Sequence, residues 1–423
     1  MNIKIKILVG FIAIILLLCL GLVLTGNAHI FRAVQLTYLK GNDTANINDG
    51  QDFETRIIRA GKPQPWALHE NYNKQPLNAD LEKFLTSTNS VAYLIIKDGK
   101  LHSEFYFEPY HDRSRTNSFS MAKSILTMMV GAAIDDGFIK SFDEPVSNYI
   151  PEFKGKEVTL AQLSAMSSGV DWEEDYYSPF SPTPKLLYGY DVETYSLSRE
   201  YPKKPGSEYY YASVSTQVLG IALQRALKKA GKDISVSEYL SEKFWQPMGM
   251  EDDATWHTDA EGMELVYCCI NSNARNFAKF GLLLSQQGAW NTGGLEGGAV
   301  EENRDAEIPA DKISAEVITT EKSTGERLQL LKPEYVEHMI KPDLVSFYGH
   351  SIWTDDRENP IFYLMMGHLG QYVVVVPEHN MIVVRLGEFR DADADHITFF
   401  IPKEVAYYVD EAIKRVHSED ANQ

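Results

Sequence analysis

The sequence predicts an α+β fold: an antiparallel sheet built from strands near both ends of the chain and flanked by helices, with a mostly helical inserted subdomain. Two strand-like runs, Val91–Lys97 and Leu101–Phe107, flank Asp98-Gly99, a dipeptide suited to the positive φ angles of a tight hairpin turn. Strand-like segments recur late, at 344–353, 361–366, 371–376 and 381–386, before an amphipathic helical pattern over 403–416. Between these two sets, from about 138 to 260, the pattern is helical, with capping signals at Thr159 and Ser235.

At the amino terminus, Ile7 to Leu24 is an uncharged apolar run of eighteen residues preceded by Lys4 and Lys6. It reads as an export segment, either retained as a membrane anchor or cleaved near Gly26-Asn27-Ala28, which leaves the rest of the chain outside the cytoplasm. Cys19 follows Leu18 where a lipoprotein signal wants a small residue, so lipidation there is not expected. Residues 1–28 thus form a signal peptide or anchor and 29–79 a polar linker and irregular lead-in. The main domain spans 80–416, and 417–423 are a tail. With 423 residues, 44% of them hydrophobic, the chain can bury an enzyme-sized core. A formal charge of −19 argues against a nucleic-acid partner. Cys268 and Cys269 are adjacent, a spacing that closes only a strained ring, so two buried thiols are expected.

Past the hairpin, Thr116, Asn117 and Ser118 are cap-type residues, and an apolar helical pattern runs from Ile125 to Ile134 before Asp136-Gly137 stops it. Ser120 therefore stands at a helix N-terminus, with Lys123 on the same face, within reach as a base. The exposed amides of that first turn favour the charge that develops when a serine attacks a carbonyl. Further along, Pro205-Gly206 precedes Tyr211-Ala-Ser213 at a helix entrance, where Tyr211 can move a proton if Lys123 lowers its pKa. Gly367-His368-Leu369-Gly370-Gln371 leads into a late strand, so the Gln371 amide can pair with that of Ser120 as an oxyanion hole and His368 can orient a substrate. Gly293 to about Glu326, rich in glycine and acid, reads as a surface insertion.

Taken in order, Ser120-Met-Ala-Lys123, Tyr211-Ala-Ser213 and His368-Leu-Gly370 resemble the Ser-x-x-Lys, Tyr-x-Asn/Ser and Lys-Thr-Gly elements of the serine β-lactamase and penicillin-binding-protein superfamily. The wording around them, including Thr159 to Gly169, Pro247-Met-Gly-Met250 and Asn273 to Gly281, is similar to its class C-like branch, which includes esterases and 6-aminohexanoate-dimer hydrolases. The resemblance covers roughly residues 80 to 416 and implies a β-lactamase/transpeptidase-like fold. It further implies a serine hydrolase that cleaves an ester or amide through a Ser120 acyl-enzyme, with Lys123 and Tyr211 moving the proton and no cofactor or metal.

Two departures bear on substrate. Ser213 stands where penicillin-recognising members usually have asparagine, and His368 where they have lysine, which removes a fixed cation for a substrate carboxylate. A small molecule or short peptide is the expected substrate, with uncharged esters or linear amides preferred. A D,D-peptidase or β-lactamase, or a non-catalytic binding protein that keeps the fold, are the alternatives. The run Asp391 to His396 has neither the glycine nor the glutamate of a calcium loop and reads as a solvated turn.

Overall fold

Apolar residues at every position of several strands require cover on both faces of the sheet, and the chain supplies it from helices on either side. A computed structural model of the protein describes residues 3–292, 326–355, 361–391 and 401–420. The insertion read over 293–326 lies, but for Glu326, outside these residues, as does 392–396 of the acidic run.

The N-terminal apolar run forms helix α1 (Ile3–Leu24), with no buried residue. The lead-in then departs from the linker expected of it. It forms α2 (His29–Leu36) and strand β1 (Thr55–Ile58), and buries Ala45, Ile47, Phe53 and Ile58. A four-residue strand between polar stretches carries too little pattern to be read locally; its pairing partner, two hundred residues away, decides it.

Helix α3 (Ala79–Ser87), capped by Asn78, leads into β2 (Ser90–Lys97) and β3 (Lys100–Tyr106). Asp98 and Gly99 turn at φ 50° and 73°, the positive values the dipeptide predicts. The short β4 (Thr116–Asn117) then delivers the chain to α4 (Met121–Asp135).

The helical layer follows with α5 (Leu160–Ser164), α6 (Pro182–Tyr188), α7 (Val192–Leu197), α8 (Ser213–Lys229) and α9 (Val236–Leu240). Thr159 and Ser235 both form capping boxes, so the signals read there mark true helix starts. Beyond them come β5 (Ala254–His257), β6 (Ile270–Ser272), α10 (Ala274–Ser285) and β7 (Ala289–Asn291). After the undescribed stretch stand β8 (Arg327–Gln329), α11 (Pro333–Ile340), β9 (Trp353–Asp355), β10 (Phe362–Gly367), β11 (Gln371–Val376), β12 (Met381–Gly387) and α12 (Lys403–Asp420).

The main sheet has the order β3-β2-β12-β11-β10-β9, so the early hairpin joins the late strands edge to edge, and every pairing is antiparallel. Successive residues divide between its faces. Leu94, Ile96, Val373, Val375, Ile382 and Val384 enter the core shared with α4, α8 and α10, while Tyr93, Ile95, Tyr372, Val374 and Val383 pack against α3 and α12. A second sheet, β1-β5-β6-β4, ends on the strand that carries the chain toward Ser120. Helix α4 is buried from Met121 through Ala133 and packs against β10, α8 and α11. It is the pillar between the sheet and the helical layer, and Ser120 is at its head.

Candidate active site

Ser120 is the N-cap of α4, but its side chain caps nothing. Its hydroxyl instead accepts a hydrogen bond from Lys123 Nζ at 2.9 Å, the contact that i, i+3 spacing on one helix face predicts. The buried amine also donates to Ser213 Oγ at 3.1 Å and to the Tyr267 carbonyl at 2.9 Å. Desolvation pushes the Lys123 pKa down to about 8, against the opposing pull of the Glu174 charge. A lysine so placed can exist as a neutral amine near neutral pH and accept a proton.

Tyr211 hydrogen-bonds to Ser120, but not as the acidified phenol the sequence suggested. Burial, reinforced by the Glu174 charge, raises its pKa. Lys123 Nζ lies over its ring, 5.2 Å from the centre. Tyr211 is therefore a neutral hydroxyl that can donate or pass a proton. Ser213 opens α8, and its backbone N–H and hydroxyl both donate to Glu174, at 2.8 and 2.5 Å.

His368 lines the same cavity as Ser120 and Ser213, together with Phe119, Tyr176, Leu187, Tyr188 and Tyr267. Its ring stacks on Tyr176 with centroids 4.6 Å apart and meets Phe119 edge-on. Desolvation, aided by the Arg390 charge, lowers its pKa to about 3, so it is neutral. Its buried Nε2 has no hydrogen-bond partner among the described residues. Gly370 and Gln371 are not part of the cavity lining. Gly370, at φ 84°, belongs to the turn between β10 and β11, which Arg385 pins by donating to the Leu369 and Gly370 carbonyls at 3.1 and 2.9 Å. The Gln371 side chain is buried against the His368 and Gly387 carbonyls, leaving only its backbone for the role expected of it.

Four further groups stand at or near the site. Glu174 and Tyr176 belong to an acidic and aromatic run, Trp172-Glu-Glu-Asp-Tyr-Tyr177, whose composition was the available signal. The Tyr267 carbonyl has no signature at all, since every residue has one. Arg390, just past β12, donates to the Gly367 carbonyl at 3.1 Å and sets a cation near His368, though it is not among the residues that line the cavity. Cys268 and Cys269 are not two thiols but a disulfide in the cavity wall. A tight turn there, with Cys269 at φ 77° and the Cys268 and Cys269 carbonyls held by Trp256 Nε1 and the His257 amide, brings the two sulfurs together. Among the described residues no group of three or more His, Cys, Asp or Glu is arranged to hold a metal.

Comparison with known proteins matches residues 77–396 to the family described as Beta-lactamase. The chain belongs to that family. Within it, the chain is 26% identical over 330 residues to a 6-aminohexanoate-dimer hydrolase of Paenarthrobacter ureafaciens, covering 75% of this chain and 77% of that one. A Bacillus anthracis structure provisionally described as a 6-aminohexanoate-dimer hydrolase superposes with a TM-score of 0.68 at 18% identity, over 89% of this chain and 94% of the other. A family VIII carboxylesterase does so with a TM-score of 0.52 at 16% identity, over 80% and 99%. The fold is thus β-lactamase/transpeptidase-like, and this Beta-lactamase family member is a serine hydrolase of the esterase or amidase type.

Proposed function

We propose that the protein hydrolyses a short ester or an uncharged linear amide through an acyl-enzyme on Ser120. The observation that carries the reading is the buried Lys123 amine at 2.9 Å from the Ser120 hydroxyl. Lys123 takes the serine proton, and the Tyr211 hydroxyl passes a proton to the leaving group. The amides of Ser120 and Gln371 hold the oxyanion. The neutral His368 and the apolar and aromatic cavity wall support an uncharged substrate. Similarity to a protein named for cleaving an amide dimer supports the amide branch. Helix α1 supports a membrane-anchored enzyme facing outward, or a secreted one if the segment is cleaved.

Arg390 favours a second reading, in which a β-lactam or a peptide carboxylate is held by the cation whose charge acts on His368. A panel of p-nitrophenyl esters, uncharged linear amides and nitrocefin separates the two. The ester or amide should show the higher kcat/KM; a tenfold preference for nitrocefin, about 1.4 kcal/mol of transition-state discrimination, would give the second reading the lead. Ser120→Ala should lose hydrolysis by about a thousandfold or more, along with labelling by a fluorophosphonate probe. A variant that keeps its label would remove Ser120 from the role of nucleophile.

A further inference from the structure

We propose that Glu174 is a positioning residue: by holding the Ser213 hydroxyl proton it fixes that oxygen as an acceptor, and so directs the lone pair of the neutral Lys123 amine onto Ser120. The inference rests on the reading of Ser120 as nucleophile and Lys123 as base. Three groups surround the amine, namely Ser120 Oγ at 2.9 Å, Ser213 Oγ at 3.1 Å and the Tyr267 carbonyl at 2.9 Å. A neutral amine has two N–H donors and one lone pair, so one of the three must face the lone pair. The Tyr267 carbonyl can only accept. A serine hydroxyl can do either, and an unconstrained Ser213 would compete with Ser120 for the lone pair.

Glu174 removes that choice. Its Oε1 accepts from Ser213 Oγ at 2.5 Å and from the Tyr176 hydroxyl at 2.9 Å. Its Oε2 accepts from the Ser213 amide at 2.8 Å and from Trp172 Nε1 at 2.6 Å. Four donors converge on one carboxylate and lock its orientation. With the Ser213 proton engaged there, both amine N–H groups are committed to Ser213 and Tyr267, and the lone pair meets the Ser120 hydroxyl. An asparagine at 213 would present an acceptor oxygen by its own chemistry, whereas a serine needs a partner that fixes its proton.

The step balances without further reactants. Ser120 Oγ bonds to the substrate carbonyl carbon, its proton passes to Lys123 Nζ, and the carbonyl π pair moves to the oxygen. Collapse breaks the bond to the leaving group, which takes a proton from the Tyr211 hydroxyl as Nζ returns one to Tyr211. Glu174 exchanges no proton in these steps, and its charge raises the Lys123 pKa against desolvation.

The test compares wild type, Glu174→Gln, Glu174→Asp, Ser213→Ala and the Glu174→Gln/Ser213→Ala pair. The readout is kcat/KM for a short p-nitrophenyl ester from about pH 6 to 10. Around Lys123 the other titrating groups are Tyr211, Tyr267 and Tyr176, all raised, and His368, lowered to about 3, so none changes charge over most of that range, and Arg390 stays cationic. Glu174→Gln places an amide donor among four donors and turns the Ser213 proton toward Lys123. The plateau should fall roughly ten- to a hundredfold, and the acid limb should move to lower pH because the charge that raises Lys123 is gone. Glu174→Asp should keep the limb in place and recover part of the rate.

In the Ser213→Ala background, Glu174→Gln should cost less than about threefold, since its route to Lys123 has been removed. Equal losses in both backgrounds, or wild-type kcat/KM in Glu174→Gln, overturn the proposal. So does a limb that stays in place while only the melting temperature drops. If Glu174→Gln does not fold, the same two backgrounds are compared with Glu174→Asp, and equal losses again overturn it. Fluorophosphonate labelling of wild type separates the two levels: no label on Ser120 removes the underlying reading, whereas a labelled Ser120 with uncoupled Glu174 removes this inference alone.

Discussion

Lys123 shows how burial gives one side chain a chemistry that its residue type alone does not. In water its amine would stay protonated well above neutral pH; here burial lowers the pKa to about 8. The sign of the pH dependence follows. Below that value the ammonium dominates and cannot take the Ser120 proton, so kcat/KM should rise about tenfold per pH unit up to the region of pH 8 and then level off. Tyr211, its pKa raised by burial, stays protonated across the plateau. A profile flat from about pH 6 to 9 would contradict Lys123 as the base. Ser120 and Lys123 were legible because three residues on one helix fix their geometry. Tyr211 was legible as a candidate but not in its protonation state, which depends on neighbours gathered from distant segments.

Elements meet at the site through a narrow contact. The end of β10 passes so close to the chain before Ser120 that a Cβ on Gly367 would lie 2.3 Å from the Ser118 carbonyl oxygen. That neighbour is backbone, and Ser118 is tied to Ile270 by a hydrogen bond from its own amide at 2.8 Å and one accepted by its hydroxyl at 3.1 Å. Gly367→Ala should therefore destabilise by about 1–3 kcal/mol and also shift the entry to α4. Thermal melting and ester kcat/KM measured together check this, with a loss of rate larger than the unfolded fraction explains as the expected outcome. Wild-type values in both would show that the contact relaxes at no cost. The Asp98-Gly99 hairpin and the two capping boxes were legible because turn and cap chemistry is local. Strand β1 was not, because its hydrogen bonds go to β5 from Thr55↔His257 to Ile58↔Ala254.

For the whole molecule, α1 is the one described helix long and apolar enough to cross a membrane, and none of its residues is buried by the body of the protein. Twenty-two helical residues span about 33 Å, close to the roughly 30 Å of a bilayer core. The chain should fractionate with membranes and present a tag placed after Gln423 to the outside. Removal of residues 1–24 should release a soluble hydrolase with ester kcat/KM within about twofold of the full chain, since such surface changes away from the site cost little. Recovery of the intact chain from cytosol, or loss of activity on truncation, would contradict this placement.

The sequence by itself determined the shared helix face of Ser120 and Lys123, the order of the motifs, the late strands and the apolar amino terminus. Each of these rests on spacing within one element or on composition. Only the tertiary structure decided that Thr55–Ile58 of the lead-in joins a sheet and that Cys268 and Cys269 are joined. It also decided that the Arg390 charge acts on His368 and that Glu174 holds Ser213. The physical reason is the same in each case. A lone pair, a buried charge or a strand edge is assigned by whichever partner the fold brings within about 3 Å, and those partners come from segments whose separation along the chain leaves no periodicity to read.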